Sequence, residues 1–110
     1  MKPPNLFESL PESLAEERFD VLMEDPRVRI ERILSAGHAS PPGFWYDQPR
    51  DEWILLLRGF ARLTLETDHA LRTVELRPGD HLHLPARCRH RVEETSGNEK
   101  TVWLAIHWNP

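Results

Sequence analysis

The groups in this 110-residue chain able to ligate a metal, move a proton or act as a nucleophile are mainly six histidines, one cysteine and eighteen acidic side chains. Cys88 sits between Arg87 and Arg89, with His90 next, and positive neighbours lower a thiol's pKa. No third orienting group stands near it in sequence, so an inert thiol is expected. A single cysteine also excludes an internal disulfide and a thiolate zinc cluster. His81 and His83 lie two apart and share one face of an extended segment. Leu82 and Leu84 take the opposite face, so alternation sends the leucines to the core and the histidines outward. His107 differs. Both parities around it are apolar, Val102, Leu104, Ile106 and Trp108 on one and Trp103 and Ala105 on the other. A histidine there is buried and must be hydrogen-bonded or metal-bound. His38 and His69 fall in turn-like stretches and are expected in solvent.

These groups need a frame, and the sequence supplies one of short strands. Val28, Ile30 and Ile33 lie among Arg27, Arg29, Glu31 and Arg32, which predicts a strand with one wet face. Trp53 to Leu57 is a continuous apolar run, as in a strand covered on both sides. Residues 60–65, 71–76, 81–84, 89–93 and 101–108 complete the set, separated by turn signals such as Arg58-Gly59, Thr67-Asp68-His69 and Pro78-Gly79-Asp80. Seven or eight strands with little helix predict an antiparallel sandwich or barrel. The first 27 residues read differently, as an N-terminal extension packing on a barrel formed by 28–110. Leu14, Phe19, Leu22 and Met23 can share one face of a short amphipathic helix ended by Pro26.

Length fixes one domain. Charged residues at 29% and hydrophobic residues at 39% describe a folded globular chain and not a disordered one. The net charge of −4 and the lack of a Lys/Arg block give no footprint for nucleic acid or an anionic membrane. No apolar signal region follows Met1-Lys2-Pro3-Pro4, so a cytoplasmic location is expected.

One stretch is specific. Gly79, Pro85 and His90 stand as Gly, five residues, Pro, four residues, His, and this resembles the second motif of the cupin family. The family's usual Gly two places after the Pro is Arg87 here, and its closing Asn is Glu94. Glu52 and Gly59, separated by six residues, resemble half of the first motif, whose two histidines are absent. Their places fall on Tyr46 and Gln48 in one alignment and on Trp45 and Asp47 in the other. The resemblance covers about residues 28–108. It implies a double-stranded β-helix, the cupin jelly-roll barrel, with His90 pointing inward.

The resemblance also implies a divalent metal, iron, manganese, zinc or nickel, on His90 and Glu52, joined by Asp47 or Gln48. Tyr46 and His107 are the further candidates for the pocket. A ligand set richer in oxygen than the family's favours Mn²⁺ or Fe²⁺ over softer ions. Two functions stay open: a metal-dependent oxygenase or isomerase-type enzyme, and a non-catalytic module that binds a small ligand or a protein after losing the metal chemistry. Open strand edges need covering, and a homodimer is the expected solution.

Overall fold

The computed structural model describes residues 1–109. Eight strands run in chain order: β1 (Arg18–Glu24), β2 (Val28–Ser35), β3 (Asp51–Arg58), β4 (Ala61–Thr67), β5 (Ala70–Leu76), β6 (His81–Leu84), β7 (His90–Thr95) and β8 (Thr101–Trp108). They form a five-stranded sheet, β1-β2-β8-β3-β6, and a three-stranded sheet, β5-β4-β7, with every pairing antiparallel. The core lies between the sheets. Ile54 and Leu56 of β3, Leu63 and Leu65 of β4, Leu84 of β6 and Trp103 and Ala105 of β8 form one buried cluster. Period two decides which residues reach it, because alternate side chains on a strand point to one face.

The turns follow their residues. In Arg77-Pro78-Gly79-Asp80, Pro fixes the first central φ and Gly79 takes the positive one at 94°, a type II turn. The Asp80 carboxylate accepts from the Arg77 N–H at 2.8 Å and so closes it. Asp68 and His69, both with positive φ, form the two-residue connection between β4 and β5, which matches the twist of a hairpin.

The predicted N-terminal helix is absent: there is no helix among the described residues, and Arg18–Glu24 is a strand. Strand β1 pairs with β2, and its register shifts between Val21 and Met23. The extra residue of that bulge breaks the period-two signal. Phe19, Leu22 and Met23 then mimic helical spacing while the backbone hydrogen-bonds to β2. Strand β3 also departs from expectation. Ile54 and Leu56 are buried, but Trp53, Leu55 and Leu57 on the other face are only half-buried. Among the described residues, no helix is long and apolar enough to cross a membrane.

Candidate functional site

The apolar core stops short of one end of the barrel. There the inward positions of four strands carry polar groups: Glu31 on β2, Glu52 on β3, His90 on β7 and His107 on β8. All four are buried, at 6%, 7%, 6% and 2% exposure. Register explains the convergence. Strand β8 lies between β2 and β3, with His107 opposite Arg29 on one side and Glu52 on the other. His90 faces them from the smaller sheet. Together they border a cavity of about 300 Å³. Glu17, Arg29, Tyr46 and Gln48 also line it, and Ile33, Ile54, Leu63, Leu84, Val92 and Trp103 supply apolar wall.

His90 is delivered by a strained turn. In Pro85-Ala86-Arg87-Cys88 the Cys88 N–H donates to the Pro85 carbonyl at 3.0 Å, and Arg87 takes a φ of 66°. The left-handed region favours glycine, so Arg87 pays for the missing Cβ-free residue in strain. Two hydrogen bonds hold it there: the Arg87 N–H to the Gln48 carbonyl at 2.7 Å and the Ala86 N–H to the Asp51 carboxylate at 2.6 Å. His90 then exchanges backbone hydrogen bonds with Tyr46, at 2.7 and 3.1 Å, and the two rings stack 5.1 Å apart.

The imidazole of His90 is fixed as well. Its Nδ1 lies 2.9 Å from the Cys88 carbonyl, an acceptor only, so Nδ1 carries the proton and donates. That leaves the Nε2 lone pair facing Glu52 Oε1 at 3.6 Å. Burial raises the Glu52 pKa above the ordinary glutamate value, and the Glu31 charge adds to this against opposing His107 and Arg29. Burial likewise lowers the pKa of His90. Both shifts run toward the neutral forms. The Tyr46 phenol is raised by burial and by Glu17, Glu52 and Glu31.

Other groups fall elsewhere. Asp47 is exposed, 3.4 Å from Arg87, and does not line the cavity. His81 and His83 are exposed on the outer face, against Trp53 and Trp108. Half-buried His38 holds the N-terminal segment: it accepts from the Ala36 N–H at 2.9 Å and its Nε2 lies 3.3 Å from the Ala15 carbonyl. Burial, then Glu66, raises the Cys88 thiol, opposite to the effect of its basic neighbours in sequence. Among the described residues, no group of three or more His, Cys, Asp or Glu is arranged to hold a metal ion.

Three charged cavity residues escape the sequence reading: Glu17, Arg29 and Glu31. The alternation on β2 suggested that Arg29 and Glu31 mark its wet face, but that face turns inward. Glu31 meets His107 Nε2 at 2.9 Å, and Arg29 Nε lies 3.6 Å from Glu31. The signal available was His107 itself, a buried imidazole needing a partner. Glu17 accepts the Ser35 hydroxyl at 2.5 Å, and that hydroxyl oxygen accepts the Trp103 indole N–H at 3.2 Å.

A family model described as Cupin domain matches residues 32–107. A Ralstonia eutropha JMP134 protein, provisionally assigned as a mannose-6-phosphate isomerase, is 51% identical over 100% of both chains, with a TM-score of 0.90. A cupin superfamily protein of Desulfitobacterium hafniense DCB-2 is 22% identical over 100% of this chain and 94% of its own, with a TM-score of 0.77. The Fe(II) form of HppE with the alternative substrate (S)-1-HPP is 10% identical over 90% of this chain and 53% of its own, with a TM-score of 0.69. The last two show likeness of fold alone. No curated protein matches.

Proposed function

This chain belongs to the cupin domain family, and on that footing we propose that it binds a divalent metal ion between Glu52 and His90 and holds a small organic ligand in the adjoining cavity for isomerase-type chemistry. One observation carries the reading. His90 Nε2, whose lone pair is free because Nδ1 donates to the Cys88 carbonyl, and Glu52 Oε1 face each other 3.6 Å apart in a buried place. Two ligands bonded to one first-row ion at about 2.0–2.2 Å stand roughly 3–4 Å apart. The Cys88 carbonyl behind Nδ1 is the kind of outer partner that ligating histidines use.

Glu52 and His90 would hold the ion, with Gln48 as the further candidate from the cavity wall. Bound there, the metal supplies Lewis-acid polarisation of a ligand oxygen. The chain supplies the rest. Tyr46, kept protonated, is placed to donate to a ligand oxygen. Ile33, Leu63 and Val92 give the ligand apolar wall to pack against. The Ralstonia relative's assignment supports an isomerase. The lining does not favour a phosphate, because Glu17, Glu31 and Glu52 oppose the single Arg29.

A non-catalytic ligand-binding barrel is the second reading, favoured by the absence of a three-group metal cluster among the described residues. Metal content of tag-free protein, then calorimetry with Mn²⁺, decides between them. Wild type should bind one ion per chain and His90→Ala none, with the fold of His90→Ala intact. Equal binding by both sinks the metal reading.

We also propose a homodimer joined through β1, an edge strand with Phe19, Val21, Leu22 and Met23 exposed. Antiparallel self-pairing centred on Val21 would set Arg18 of each copy opposite Glu24 of the other. Light scattering that finds only a 12.9 kDa species at high micromolar concentration would refute it.

A further inference from the structure

We propose that Glu31 and His107 are positioning residues for Glu52, a polar relay in which Glu31 orients His107 by a hydrogen bond and the His107 Nε2–H then attracts one Glu52 oxygen and so fixes which of the two faces His90; the inference rests on the metal reading above only for its effect on affinity. The three side chains lie on adjacent strands, β2, β8 and β3, and all are more than nine-tenths buried. His107 Nε2 stands 2.9 Å from Glu31 Oε1 and 3.5 Å from Glu52 Oε2. Its Nδ1 is buried with no hydrogen-bond partner among the described residues.

A neutral imidazole has one N–H, and this environment decides where it goes. On Nδ1 the proton would be a buried donor without an acceptor, and Nε2 would turn a lone pair toward two carboxyl groups. On Nε2 it donates to Glu31 and reaches toward Glu52, leaving only a weak acceptor unpaired. The proton therefore sits on Nε2. The tautomer is the reverse of that of His90, whose Nδ1 donates to the Cys88 carbonyl. Because Nε2–H attracts Glu52 Oε2, the other oxygen, Oε1, is left to face His90. Arg29, 3.6 Å from Glu31 Oε2, steadies the far end of the relay. His107 does not serve as a ligand here, since its Nε2 is committed and its Nδ1 is sealed. The relay thus gives the Glu52 carboxylate a defined orientation, using residues outside both of the family-like motifs.

Long-range ¹H–¹⁵N NMR of the imidazoles in chelator-treated protein reads the tautomers directly, at a pH where both rings are neutral. Wild type should show His107 as the Nε2–H form and His90 as the Nδ1–H form. Glu31→Gln keeps the volume but lets an amide donor face His107. It should mix the His107 tautomers and weaken Mn²⁺ binding by calorimetry about 10–100-fold. His107→Gln, whose amide can still donate toward Glu52, should retain more affinity than His107→Leu, with circular dichroism confirming that both fold. A His107 Nδ1–H tautomer in wild type, or wild-type Mn²⁺ affinity in Glu31→Gln, overturns the relay. Wild type that takes up no Mn²⁺ yet shows the Nε2–H tautomer, lost in Glu31→Gln, overturns the metal reading and supports the relay.

Discussion

The two ends of the barrel are built from the same strands and differ in what their inward positions carry. On β3, Glu52 is followed inward by Ile54 and Leu56; on β8, Trp103 and Ala105 precede His107. At one end the inward side chains bury apolar area, a non-directional gain. At the other they bury two carboxyl groups and two imidazoles, which are costly unless their partners are in place. The apolar end holds the fold, and the polar end is where we propose the chemistry. Substitutions at the first should cost stability and spare binding, and those at the second should do the reverse.

The largest effect is expected from Leu56→Ala. Leu56 is fully buried within the apolar cluster, and such truncations cost about 2–5 kcal/mol through lost transfer energy and the cavity left behind. Urea denaturation measures it, and Mn²⁺ affinity of the folded fraction should be unchanged. A loss under 1 kcal/mol would mean that the apolar end is not what holds the sheets together.

At the polar end the expected sign depends on pH, read in metal-free protein. The Glu52 pKa is raised by burial above its ordinary 4.5. Its contribution to stability is therefore fully present below 4.5 and is lost as pH rises through the folded value. The His90 pKa is lowered by burial below its ordinary 6.5. Its contribution is present above 6.5 and is lost as pH falls through the folded value. Relative to wild type, Glu52→Gln should gain stability as pH rises from 4.5, and His90→Gln should gain as pH falls from 6.5. Parallel stability curves for wild type and either variant would remove that group from the buried network.

How much of this was legible in the sequence follows from which signals are local. Alternation announced β4 and β6, a run apolar on both parities announced β8, and the Gly79, Pro85, His90 spacing announced the turn that delivers His90. Strand β1 was hidden because a bulge near Leu22 spoils the period that identifies a strand. Glu31 was hidden for a different reason. Alternation shows that two faces differ but not which faces in, and the charged face of β2 is inward because β8 brings His107 against it. A long-range pairing is needed to see that. Asp47 and Gln48 precede the same proline and were equivalent in sequence, yet Gln48 lines the cavity and Asp47 pairs with Arg87 on the surface.

A smaller effect is expected at Arg87, in the turn beside the polar end. Its φ of 66° costs of order 1 kcal/mol or more in a side chain with a Cβ. Glycine relieves that strain but gives back roughly 0.5–1 kcal/mol in unfolded-state entropy. Its surface bridge to Asp47 contributes little. Arg87→Gly should therefore stabilise the protein by about 1 kcal/mol or less, raising its denaturation midpoint. A clear destabilisation would show that the arginine side chain, and not the backbone bonds to Gln48 and Asp51, sets the turn.

The smallest effect is expected from His81→Ala, which tests the outer face of the strands whose inner face carries the contrast. His81 pairs in register with Leu55 of β3, and its ring tilts against Trp53 with centroids 5.5 Å apart. Leu82 and Leu84, on the opposite parity, take the inward positions, and Leu84 is buried. The imidazole is exposed, makes no side-chain hydrogen bond and stands outside the cavity lining. Surface substitutions of this kind stay within about 0.5 kcal/mol. Denaturation and Mn²⁺ calorimetry of His81→Ala should both reproduce wild type, although His81-Leu82-His83 is the one histidine pair with the family's spacing. Loss of Mn²⁺ binding in this variant would move the metal to the outer face and break the division between the two ends of the barrel.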